Sequence, residues 1–69
     1  MDLAIELEQE DDGRWIAEIN ELDGVLVYGD TRDEAIKNVK MLALRVIADR
    51  LENGESFPQQ IESLVFQAA

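Results

Sequence analysis

With 69 residues, no cysteine and no histidine, the chain has room for one small domain and nothing from which to build a disulfide or an imidazole base. Its formal net charge of −10 is unevenly spread: residues 1–30 carry ten acids against Arg14 alone, residues 31–52 five basic side chains and four acids, and residues 53–69 only Glu55 and Glu62. That balance argues against phosphate-backbone binding, which needs clustered Lys and Arg, so no direct nucleic-acid contact is expected. Such a field suits a basic partner, or simply keeps a small protein soluble.

A core of this size rarely supplies more than about 3–5 kcal/mol, which leaves oligomerisation as the available reinforcement. No apolar run approaches the length of a membrane span, and Met1-Asp2-Leu3 lacks the basic region of a signal peptide. The expectation is a soluble cytoplasmic protein with no membrane partner.

Leu3, Ile5 and Leu7 alternate with Ala4, Glu6 and Glu8, the period-2 pattern of a strand with one buried face. Glu10-Asp11-Asp12-Gly13 supplies a hairpin turn, because Asp-Gly tolerates positive φ. From Arg14 to Asn20 the alternation resumes, with Trp15, Ala17 and Ile19 against Arg14, Ile16, Glu18 and Asn20. A second turn, Glu21-Leu22-Asp23-Gly24, leads into a third strand, Val25 to Tyr28, which is apolar on both faces.

After the Gly29-Asp30 break, Thr31-Arg32-Asp33-Glu34 has the Thr-x-x-Glu spacing of a capping box and predicts a helix start. Ala35, Ile36, Val39, Ala43, Val46 and Ile47 then form one apolar stripe, widened at its edges by Leu42 and Leu51. Asn38, Arg45, Asp49 and Glu52 fall opposite, Met41 lies on the polar side, and Arg50 falls near the stripe in the last turn, where it can snorkel. Asn53-Gly54 is the expected stop, with Gly54 in the left-handed position. Glu55 to Pro58 reads as an extended connector, and Ile61 to Phe66 as a fourth strand, at an edge or shared with a second copy. The fold class is α+β, in the order β-β-β-α-β: an antiparallel three-stranded meander, one long helix and a C-terminal strand.

One helix covers one face of such a sheet. Ala4, Ile16 and either Val25/Val27 or Leu26/Tyr28 then make an apolar strip on the other face, rimmed by Glu6, Glu8 and Glu18. Ala4, Ile16, Leu26 and Tyr28 are the candidate homo-oligomer interface. Glu6, Glu8, Glu10, Asp11, Asp12 and Glu18 are the candidate contacts to a basic partner.

Catalytic chemistry finds no footing. Ser56 and Ser63 have no imidazole to activate them, and the four glycines are scattered among turns rather than gathered in a phosphate loop. Glu10, Asp11 and Asp12 occupy a solvated turn, while Asp30, Asp33 and Glu34 are explained by the helix start and its dipole. The residues point to a binding or regulatory module, not an enzyme, with no cofactor and no metal.

Asp12-Gly13-Arg14-Trp15-Ile16-Ala17-Glu18-Ile19, then Glu21-Leu22-Asp23-Gly24-Val25, then Gly29-Asp30-Thr31-Arg32-Asp33-Glu34-Ala35-Ile36-Lys37-Asn38, together resemble the N-terminal domain of the HicB-like antitoxin family over about residues 3–66. Asn20 and Asp23 stand where that family has prolines, and Val25 where it has cysteine. The resemblance implies a truncated ribonuclease-H-like sheet without the metal-binding acids. It also implies dimers or larger oligomers, and neutralisation of a small basic HicA-type mRNA-cleaving toxin. Many such proteins carry a C-terminal DNA-binding segment, which this sequence does not contain, so a stand-alone member is expected. The alternative is an orphan homo-oligomeric scaffold or regulatory module with no toxin.

Overall fold

The structure is a computed structural model that describes residues 2–54 and 64–68. Its elements are β1 (Asp2–Gln9), β2 (Trp15–Glu18), β3 (Leu26–Gly29), α1 (Arg32–Glu52) and β4 (Val65–Ala68). They make a four-stranded sheet in the order β3-β2-β1-β4 with α1 packed on one face, the α+β layout that the patterning predicts. The first three strands form the antiparallel meander, and β4 lies at the edge, parallel to β1, with Leu3 opposite Phe66.

The core follows from the two periodicities. Leu3 and Ile5 from β1 and Ala17 from β2 point at the helix and are fully buried, and Leu7 and Trp15 close the same side. From α1, Ala35, Val39, Ala43 and Ile47 recur every fourth residue and face the sheet. The two alanines lower the ridge between the larger side chains, which lets the helix sit close. Ile36, Leu42 and Val46 pack beside them, and Arg50 is half-buried in the last turn as anticipated.

The second connection differs from the expected short turn. Ile19, Leu22 and Val25 are all buried, and two successive turns space them: the Leu22 N–H donates to the Ile19 carbonyl and the Val25 N–H to that of Leu22. The loop thus stops one end of the core with three apolar side chains. β2 accordingly ends at Glu18 rather than Asn20, and β3 begins at Leu26 rather than Val25. Gly24, at φ 79°, supplies the left-handed residue that this path needs.

Thr31 caps the helix as expected, its hydroxyl accepting from the Glu34 N–H at 3.0 Å. At the other end the Asn53 N–H and side-chain amide both donate to the Asp49 carbonyl, and Gly54 follows at φ 81°.

Two helix positions depart from the expectation. Leu51 is not an edge of the buried stripe but is 43% exposed. Asn38 is not on the solvent side: it is half-buried and donates its side-chain amide to the Tyr28 carbonyl at 3.3 Å, tying α1 to the outer strand.

Of the predicted fourth strand, Ile61 to Ser63 lie outside the described residues, as does the Glu55–Pro58 connector. Leu64 and Phe66 face the core and Val65 faces away, and the strand runs on to Ala68.

Candidate functional site

The face of the sheet turned away from α1 carries every second residue of each strand. Among the described residues no element lies over it. The register sets these side chains in rows: Glu8, Ile16 and Tyr28 stand side by side across β1, β2 and β3, and Glu6, Glu18 and Leu26 form the next row. Leu26 and Tyr28 are 45% and 46% exposed, which settles in their favour the choice the apolar third strand left open; Val27 points inward.

Ile16, Tyr28 and Leu26 therefore meet in one apolar patch at the β2–β3 side. Ala4 stands apart, opposite Gln67 of β4 and beyond the Glu6–Glu18 row. Val65, beside Asp2, is a separate exposed apolar residue at the far edge.

Glu6 and Glu18 are direct cross-strand partners, and like charges so placed repel. With Glu8 and Ile16 they border a shallow open depression. Among the described residues the Asn20 amide answers this charge locally, donating to the Glu6 carboxylate. The arrangement spends some sheet stability to hold three carboxylates beside an apolar patch.

At one corner, the hairpin tip organises Arg14. The turn closes with the Gly13 N–H on the Glu10 carbonyl at 2.9 Å and the Glu10 N–H on the Arg14 carbonyl at 2.7 Å, with Gly13 at φ 94°. Asp12 accepts from the Arg14 backbone N–H at 3.0 Å and from its Nε at 2.8 Å. Those bonds, the backbone one foremost, hold the Asp12 carboxyl below its ordinary value. The Arg14 guanidinium also lies 4.8 Å from the centroid of the Tyr28 ring. Asp12 is thus engaged with a cation of its own chain, whereas Glu10 and Asp11 stand at the tip beyond Glu8. Sequence pattern alone did not reveal the Arg14–Tyr28 contact, because it depends on which residue of β3 faces outward.

Among the described residues no group of three or more acidic side chains is disposed to hold a metal ion, and none of the buried side chains is polar or charged. The face can bind by charge and apolar contact. No family model, curated protein or solved structure matches the chain.

Proposed function

We propose that the outer sheet face docks a small basic protein, and that the chain acts as a HicB-like antitoxin against a HicA-type mRNA-cleaving toxin. The observation that carries this reading is the juxtaposition of Glu6, Glu8 and Glu18 with half-buried Ile16 and exposed Tyr28 and Leu26 on one face that no described element covers. A basic, RNA-binding surface would meet both its needs there: charge to draw it in, and an apolar patch to exclude water at the centre. The β-β-β-α-β order and the Thr31-capped helix are what the HicB resemblance implies, and both support it.

The test is co-expression with the small basic HicA-type protein encoded by a neighbouring gene. Growth rescued by this chain, and lost with Glu6→Lys/Glu18→Lys while the variant stays folded, supports the reading. Absence of such a neighbour, or a toxin that the wild-type chain fails to bind, overturns it in favour of an orphan module.

A further inference from the structure

The helix carries a second apolar stripe that the core does not use. Met41 is 44% exposed, Leu44 is 49% exposed, Ala48 is also exposed, and Leu51 completes the series. Their intervals of three, four and three residues are those of a coiled-coil seam, the a and d positions of two heptads. The stripe lies well round the helix from Ala35, Val39, Ala43 and Ile47.

We propose that this stripe is the surface on which a second copy of the chain docks, helix against helix and antiparallel, leaving the acidic sheet face free. Three observations select that occupant and that orientation. The stripe is its own complement: antiparallel pairing sets Met41 beside the second copy's Leu51 and Leu44 beside the second copy's Ala48, twice over by symmetry. In the same register the flanking Arg45 falls beside the second copy's Glu52, giving two attractive pairs, whereas a parallel register sets Lys40 beside the second copy's Arg45. Antiparallel helices also place opposite dipole ends together.

Charge decides between the two exposed faces. Self-association through the sheet would bring Glu6, Glu8 and Glu18 against their own copies, in a segment carrying ten acids and one base. Residues 31–52, with five basic and four acidic side chains, meet a copy of themselves almost without repulsion. The seam is short: ten residue steps from Met41 to Leu51 at about 1.5 Å each give a contact roughly 15 Å long. That belongs at the weak, transient end of protein interfaces.

Sedimentation of the full chain from about 10 μM to about 1 mM, a range suited to weak association, reads the proposal. The expected result is a dimer whose fraction rises across that range. Leu44→Asp should weaken it at least about tenfold, about 1.4 kcal/mol, while Leu26→Ser on the sheet face leaves it unchanged. Arg45→Glu and Glu52→Arg should each weaken it, and the double variant should restore it. A monomer at every concentration overturns the proposal. So does a dimer broken by Leu26→Ser and not by Leu44→Asp, or a double charge swap that fails to restore association. None of these outcomes depends on whether a toxin binds the other face.

Discussion

Ala35 occupies the space that a side chain on Gly29 would need. A β-carbon built there would lie 2.8 Å from the Ala35 Cα and 3.0 Å from the Glu34 carbonyl carbon, both of them backbone atoms that cannot swing aside. Gly29 ends β3 and is buried, and its φ is not in the left-handed region, so its role is to let the first turn of α1 rest on the sheet. Gly29→Ala should therefore cost about 1–3 kcal/mol by overpacking. Chemical denaturation checks this; an unchanged midpoint would mean that the helix start is not seated on β3.

The same junction is held from the other side by Thr31. Its hydroxyl satisfies the Glu34 N–H, one of the donors left open in the first helical turn. Thr31→Ala should lower stability by about 1 kcal/mol, and Thr31→Ser by much less. Helical circular dichroism followed through thermal unfolding distinguishes the two, and equal melting of all three proteins would refute the cap.

Leu22 and Leu44 look interchangeable by residue type and differ entirely in place. Leu22 is 1% exposed at the end of the core, whereas Leu44 is on the solvent side of α1. Leu22→Ala should cost about 2–5 kcal/mol, much of the stability of so small a domain. Leu44→Ala, measured where the protein is dilute, should stay within about 0.5 kcal/mol. Parallel urea titrations supply the comparison, and a reversed order would contradict the packing.

How well each feature could be read from the sequence follows the range of the interaction behind it. Thr31, Gly54 and the Leu3-Ile5-Leu7 alternation act within a few residues, so spacing alone exposes them. Leu22 reads as a turn residue because two acids and a glycine surround it, whereas its burial depends on a space defined by β2, β3 and the helix. Its angle on the helix points Asn38 to solvent, yet the Tyr28 carbonyl on the outer strand accepts its amide and draws it in. The sequence leaves the outward pair on β3 open between two parities, since Val25 to Tyr28 is apolar throughout; pairing with β2 fixes Leu26 and Tyr28. The acidic candidates Glu6, Glu8 and Glu18 were legible because alternation had already put them on one face. Charge alone groups Asp12 with them, and its bonds to Arg14 set it apart.

The Asp12 carboxyl offers a pH test of that bond. Its folded value is depressed, so its contribution to stability is present above the unfolded value and is lost as pH falls through the lower, folded one. Arg14→Ala removes the guanidinium but keeps the backbone N–H, which is the larger of the two influences. The carboxyl carbon of Asp12, followed by NMR titration, should then move only part of the way back toward its ordinary value. A complete return would show that the side chain, not the turn, holds the charge.

Glu18 lets stability and binding be driven in opposite directions. It is half-buried, directly across from Glu6, and nothing in that row carries positive charge. Glu18→Gln keeps the shape and removes the repulsion, so the free protein should gain roughly 0.2–1 kcal/mol at low ionic strength. The gain should shrink as salt screens the pair in the parent protein. If the face receives a basic partner, the same substitution should slow association, and the loss should be greatest at low salt, where steering is strongest. Denaturation and stopped-flow binding on one pair of proteins read both effects. A variant that gains stability with no change in association rate would leave the carboxylate row as a solvated face and remove it from the binding surface.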